Sequence, residues 1–374
     1  MLRSAFVLKL SLGLALAVQI AAAQARVRAI DPPATPLASE ADTAGVTRFS
    51  FVVYGDTRGR QDGTAIQYEH SNVMDAIIAQ IRRQASTDFP AKFVLQSGDA
   101  VVNGQVVQQW NTSFIPIIER LTKNVDVPYY LAPGNHDVGT ATTHAAPQRQ
   151  AGLRNYMDAM AKMIPAEGTP HRLNGYPTYG FGFGNSFFLG FDSNIAADQT
   201  QFAWMKSQLE GLDRTRYKHV FVFCHQNIFS SGPHGGGNVE AMTLEIRNHY
   251  MPLFRQQHVD AVFSGHEHFF EHWVERYRDA AGAHRLDLVL TGGGGAPIYT
   301  YRSEPDTREY LQANAASEVR LEHLVKPSPD AGGNPYHFVL VRVDGDKVDL
   351  EVMGADWGVG FQPYRTNQTA LGGK

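Results

Sequence analysis

One cysteine in 374 residues, Cys224, has no intramolecular thiol partner, so a disulfide scaffold is excluded. Because that thiol lies far downstream, lipid attachment at a processed N-terminus is excluded with it. Charge is equally scarce. Only 19% of residues are Asp, Glu, Lys or Arg, and 33 basic against 37 acidic residues leave a formal charge of −4 with no block of like charges. Such a chain offers no basic footprint for a polyphosphate backbone, and no nucleic-acid partner is expected. No apolar run of about 18 residues occurs beyond residue 25, so no membrane segment is expected in the body. No repeat at about 20 to 50 residues suggests a solenoid or propeller, and no G-x-S-x-G elbow supports serine esterase chemistry. What remains is 43% apolar material, 35 glycines and 15 histidines, enough for a large buried core with many candidate metal ligands.

Arg3 and Lys9 precede the apolar stretch Leu10 to Ala23, and Ala23-Gln24-Ala25 places small residues at both cleavage-determining positions. Residues 1–25 therefore read as a signal peptide cleaved after Ala25, its apolar stretch falling short of the roughly 20 residues of a membrane anchor. The expected location is secreted or periplasmic. Residues 26–46, rich in Ala, Pro, Thr and Asp, read as a linker, residues 47–360 as one domain and 361–374 as a C-terminal tail. Asn111-Thr112-Ser113 and Asn367-Gln368-Thr369 are glycosylation sequons.

Within the body, short apolar runs end abruptly at glycine or a metal-ligating residue. Phe49–Tyr54 leads to Gly55-Asp56, Phe93–Leu95 to Gly98-Asp99, and Val127–Ala132 to Gly134-Asn135-His136-Asp137. Val220–Cys224 ends at His225, Val259–Phe263 at Gly265-His266-Glu267-His268, and Leu286–Leu290 at Gly292 to Gly295. Runs of this kind suit strands covered on both faces. Helices fit between them: one capped by Ser71 with Val73, Met74, Ile77, Ile78 and Ile81 on one face, one over Gln199–Leu212, and one over Val239–Gln257 kinked near Pro252. Strand, helix and strand in succession predict βαβ units in an α/β fold, and Asp344-Gly345-Asp346 predicts a hairpin near the C-terminus.

In open α/β sheets, polar groups gather beyond the carboxyl ends of the strands. The loop positions here hold Asp56, Asp99, Asn135, His225, His266 and His268. Two carboxylates, a carboxamide and three imidazoles are donors that manganese, iron or zinc accept. Taken singly, an Asp beside Gly is most often a turn residue; six such residues in series read as a metal site.

These blocks, in this order, resemble the calcineurin-like metallophosphoesterase superfamily. The stretches Val222–His225, Ser230–Gly235 and Gly265–His272 look closest to its purple acid phosphatase branch. The resemblance spans about residues 48 to 355 and implies a four-layer α/β/β/α sandwich with two central mixed sheets. It also implies two transition metals (Fe, Mn or Zn): Asp56 and His268 on the first, Asp99 bridging, and Asn135, His225 and His266 on the second. His136 becomes the catalytic proton donor. The implied enzyme is a metal-dependent phosphoric ester hydrolase acting on a small phosphorylated substrate, a phosphomonoester or small phosphodiester, by attack of a metal-bound hydroxide on phosphorus. Arg58, His234 and Asn103 are its candidate substrate contacts.

The sequence departs from the family pattern in two places. Arg58 stands where many members have a histidine ligand of the first metal, which makes that site one ligand poorer and leaves a catalytically impaired metal- or phosphate-binding relative as the alternative. Val102 stands where the purple branch has a metal-ligating tyrosine, so its colour is not expected. His268-Phe269-Phe270-Glu271-His272 matches the inverted zinc-protease pattern H-x-x-E-H, but that reading would leave the other donors unexplained.

Overall fold

From Phe49 onwards, strand β1 (Arg48–Tyr54) is buried at every position, as a strand covered on both faces requires. The computed structural model describes residues 26–356, 360–363 and 369–371; the signal-peptide reading of residues 1–25 and the sequon at Asn367 lie outside them. Two mixed sheets form among the described residues. The first runs β13 (Gly360–Pro363), β12 (Lys347–Asp356), β11 (Tyr336–Asp344), β1, β2 (Ala91–Gln96), β3 (Tyr129–Leu131), with β14 (Thr369–Leu371) also paired to β12. The second runs β10 (Arg320–Val325), β8 (Phe270–Asp279), β9 (Gly282–Thr291), β7 (Ala261–Ser264), β6 (His219–Phe223), β5 (Ser186–Gly190), β4 (Tyr179–Phe183). β1, β2 and β3 are parallel to one another, as are β5, β6, β7 and β9.

The period-two alternation of each strand sorts its side chains between layers. Phe51 and Val53 enter the core between the sheets, where Phe51 stacks on Phe93 at 5.4 Å and Phe188 stacks on Phe221 at 5.3 Å. Val52 and Tyr54 point outward, to the helices α1 (Tyr68–Gln84), α2 (Ile115–Asn124) and α3 (Gln150–Met160), whose Val73, Ile77, Ile118 and Tyr156 share their cluster. On the far face, Val220, Val222 and Val262 meet α4 (Gln199–Glu210) and α5 (Met251–Gln256). The layer order is α/β/β/α.

Several expected boundaries move. Helix α1 begins at Tyr68, so Ser71 is an interior residue whose Oγ accepts from Arg120 Nη1 at 2.6 Å instead of capping. The helix expected over Val239–Gln257 breaks into Ala241–Glu245, a wide π turn over Ile246–Tyr250, and α5. The Met251 amide bonds to the Ile246 carbonyl, five residues back, which places Pro252 at the start of a fresh helix where its missing donor is not needed. The C-terminal hairpin pairs Asp344 with Lys347, and Gly345 supplies the positive φ of 63° at its tip.

Residues 26–46 are not a free linker. The segment has neither helix nor strand, but Val27 and Ile30 are buried in the first helical cluster and the Ile30 amide bonds to the Ala159 carbonyl at 2.9 Å. Further on, Glu40 accepts from the Gly182 amide at 2.8 Å and the Tyr217 hydroxyl at 2.7 Å. The segment is thus a strap across both halves, anchored by two apolar residues too widely spaced to register as a helix or strand. The expected tail 361–374 likewise contributes β14 and most of β13 to the first sheet.

Candidate metal centre

All six candidate ligands follow the carboxyl ends of parallel strands, and the loops are laced together across the two sheets. The Asp56 amide bonds to the Gly98 carbonyl at 3.0 Å, Gly265 to His225 at 3.0 Å, and Ala296 to Asp56 at 2.8 Å. Asp56, Asp99 and His266 themselves adopt left-handed backbone, with φ of 58°, 55° and 74°. Such strain persists only where the surroundings over-determine the chain. Close approach explains the neighbouring glycines: a Cβ on Gly134 would sit 2.2 Å from Asp99 Oδ1, and one on Gly265 would sit 2.2 Å from Asp56 Oδ2.

The side chains converge. His268 Nε2 lies 3.6 Å from Asp56 Oδ1, His225 Nε2 3.4 Å from Asp99 Oδ1 and 2.8 Å from Asn135 Oδ1, and His266 Nδ1 3.1 Å from His225 Nε2. Ligand atoms of Asp56, Asp99 and His225 all fall within 4.8 Å of one another. The crevice is buried: Asp56, Asp99, His225 and His268 are almost completely enclosed, and Asn135 is partly exposed.

The outward nitrogen of each ring decides what the inward one can do. His225 Nδ1 faces the Ser97 carbonyl at 3.0 Å, His268 Nδ1 the Pro297 carbonyl at 2.6 Å, and His266 Nε2 the Glu240 carboxylate at 3.1 Å. Carbonyls and carboxylates only accept, so each of those nitrogens carries the proton and the opposite nitrogen presents a lone pair to the crevice. Two such lone pairs, on His225 and His266, then face each other across 3.1 Å. A metal ion between them, or a second proton on one ring, reconciles them.

The carboxylates make the same demand. Burial, then the neighbouring Asp99, pushes Asp56 well above the ordinary carboxylate range. Burial works on Asp99 in the same direction, but His225, His136 and Arg58 outweigh it and hold that group down to about 2. Burial lowers His225 to about 4 and, followed by the Arg58 charge, lowers His268 well below the usual imidazole range. Neutral imidazoles and crowded carboxylates fit a transition-metal centre.

Around this centre, His136 donates its backbone amide to Asp99 Oδ1 at 3.0 Å and its Nδ1–H to the Val102 carbonyl at 2.7 Å. Its Nε2 is thereby the free ring atom, on a surface depression of about 380 Å³ that Asn103 also lines. Asn103 is exposed and its Oδ1 accepts from the Gln105 amide at 3.0 Å, so its carbonyl oxygen is engaged in a turn. Arg58 is 5% exposed, with Nε 3.5 Å from Asp99 Oδ2. Its Nε and Nη1 have no hydrogen-bond partner among the described residues. His234 packs against His266 with ring centres 4.3 Å apart and donates Nδ1–H to Glu240 at 2.8 Å. The protease-like motif is dispersed on strand β8: His272 is buried against Asp287 at 2.7 Å and Glu271 accepts from Ser231, away from His268.

The family model of calcineurin-like phosphoesterases matches residues 49–270, from the first strand through the last histidine block. The chain belongs to that family, the metal-dependent phosphoesterases. It is 25% identical over 251 residues to the serine/threonine-protein phosphatase CPPED1 of Bos taurus, an alignment covering 62% of this chain and 71% of the relative. Over 71 residues it is 34% identical to the Fe(3+)-Zn(2+) purple acid phosphatase 12 of Arabidopsis thaliana, covering 19% and 14%. Among solved structures, the purple acid phosphatase PPD1 from yellow lupin superposes with a TM-score of 0.61 at 18% identity, over 87% of this chain and 54% of that one, which shows the shared fold.

Glu240 and Tyr299 are members of the phosphoesterase crevice that sequence reasoning missed. Glu240 fixes both His266 and His234. Tyr299 stacks on His268 at 3.9 Å and reaches Arg58 Nη2 at 3.5 Å. Glu267, pushed up to about 8 by burial, accepts from the His234 amide at 2.7 Å. Of these, Tyr299 carried a signal, as the end of the glycine run; Glu240 lies in a loop without one.

Proposed function

We propose that this chain hydrolyses phosphomonoesters or small phosphodiesters in the crevice formed by Asp56, Asp99, Asn135, His225, His266 and His268, outside the cytoplasm of the cell that makes it. One observation carries the reading: three imidazoles whose inward nitrogens are fixed as lone-pair donors by outward acceptors, beside two carboxylates too close to share a buried site without positive charge. This set would hold two transition metals, iron, manganese or zinc, which would supply Lewis acidity and ease the deprotonation of water near neutral pH. Asp56 and His268 form one donor group, Asn135, His225 and His266 the other, and Asp99 lies between them. The residues of the chain do the rest. Arg58, with two unpaired donors in a buried position, binds a phosphoryl oxygen and orients the ester. His136, anchored through Nδ1, holds or delivers a proton at Nε2 to the departing alcohol, a contribution of about 10²- to 10⁴-fold. His234, half-buried beside His266, is a further contact for the substrate.

A second reading rests on the Arg58 guanidinium itself, which puts a fixed cation where a first-metal ligand is expected and yields a binding protein with an impaired first site. Both readings meet one experiment. Metal-free protein is reloaded with manganese, iron or zinc and assayed on chromogenic mono- and diesters, with metal counted per chain for the parent and for Arg58→His. Turnover with two metals in the parent is the expected result. Activity no higher than the metal-only blank under every loading, with a stoichiometry that rises in Arg58→His, establishes the impaired relative instead.

A further inference from the structure

A separate cluster of ligating side chains lies at the opposite end of the second sheet. His258 follows α5, and Asp279 and His284 flank the β8–β9 turn. Seven residue steps along β9 separate His284 from Thr291 beside the crevice, about 23 Å at the usual strand rise. Both imidazoles turn the same nitrogen to one carboxylate: His258 Nε2 is 2.7 Å from Asp279 Oδ2, and His284 Nε2 is 2.7 Å from Oδ1. The two rings are stacked, 4.3 Å apart at 15°, and the ligand atoms lie within 4.8 Å of one another. His258 is held there with a φ of 49°, left-handed backbone that costs a non-glycine residue roughly 1 kcal/mol or more.

We propose that His258, Asp279 and His284 form a second metal site, independent of the phosphoesterase crevice, for a borderline divalent cation such as zinc. Two imidazoles and one carboxylate select zinc, nickel or copper over calcium and magnesium, which require oxygen cages. The Ala281 and Gly282 amides bond to Asp279 Oδ1 at 2.7 and 3.2 Å and so fix the carboxylate before any ion arrives. Metal entry requires only that each ring carry its proton on Nδ1, so that both Nε2 atoms turn from donors into ligands. Three protein ligands leave a position for water, and a cavity of about 530 Å³ lined by both histidines supplies it. Of the cations on that cavity, Arg285 bonds to Asp287 at 2.8 and 2.6 Å and Arg214 bonds to the Gln257 and Lys218 carbonyls, while Lys218 also lines it. The ion ties the end of a helical segment to the tip of a hairpin.

The test counts zinc on metal-stripped full-length protein after equilibrium dialysis. His258→Gln, at a position whose side chain is 41% exposed, and Asp279→Asn are each expected to bind one zinc fewer per chain than the parent. Zinc is also expected to protect His258 of the parent from modification by diethyl pyrocarbonate, read by mass spectrometry. Equal stoichiometry in the parent and both variants overturns the proposal, as does a His258 that zinc leaves fully reactive.

Discussion

Arg58 is the residue that sets this crevice apart. A guanidinium enclosed to 5% exposure, with two donors unsatisfied among the described residues, is costly unless an anion completes it. Asp99 Oδ2, 3.5 Å away, supplies charge but not a hydrogen bond of good geometry. A phosphate oxygen can complete either donor with a charge-assisted hydrogen bond. In Arg58→Ala, the inhibition constant for inorganic phosphate should therefore rise by about tenfold, a single charge-assisted hydrogen bond being worth roughly 1.5–3 kcal/mol, while metal content stays at the parental value. Unchanged phosphate inhibition would leave Arg58 a partner of Asp99 and Tyr299 and not of phosphate. Why the ligands were legible in the sequence while Glu240 was not has a physical cause. A ligand at the end of a strand is announced by the apolar run before it and by the glycine that lets its loop approach. A residue that orients a ligand is chosen by contact across the fold, as Glu240 is by His266 26 positions away, and no local pattern records that contact.

At the level of elements, the centre depends on how closely the loops after β2 and β3 pass. Gly134 lies against Asp99, so a Cβ there meets both the Asp99 amide and its Oδ1 at 2.2 Å. Neither partner can yield cheaply: the Asp99 backbone is already left-handed and its Oδ1 accepts the His136 amide. Gly134→Ala should displace the carboxylate shared between the two donor groups. Turnover should fall about 100-fold, the scale of a misplacement near 1 Å, with less metal retained and far-ultraviolet dichroism unaltered. A variant with parental metal content and rate would show that the loops slide past each other freely. The strands that carry these loops were readable from their continuous apolar runs. The hairpin β4–β5 and the strap over residues 26–46 were not: the glycines that alternate with aromatics over Tyr179–Phe183 weaken its strand signal, the strap has no period, and contacts with Phe93, Phe188 and Ala159 define them.

Across the whole molecule, buried imidazoles couple the fold to pH. His70 sits on α1 under the first sheet, its Nδ1 2.9 Å from Gln67 Oε1 and its Nε2 3.1 Å from the hydroxyl of Tyr54, the last residue of the strand that delivers Asp56. Burial, followed by the charge of Arg120, lowers it to about 3, and burial lowers His337 on β11 to about 4. In the unfolded chain both titrate near 6.5. Between these values the unfolded state binds protons that the native state does not, so stability is fully present above about pH 6.5 and drains away as pH falls through about 4 and about 3. By about pH 5 the loss is roughly 2 kcal/mol per imidazole, a large share of the 5–15 kcal/mol typical of a folded domain. Urea unfolding of chelated protein should show the midpoint dropping from about pH 7.5 to about pH 5. His70→Gln, which keeps a hydrogen-bonding side chain but cannot titrate, should lose roughly 2 kcal/mol less over the same interval. Parallel curves for parent and variant would mean that His70 is protonated as easily inside the protein as outside it.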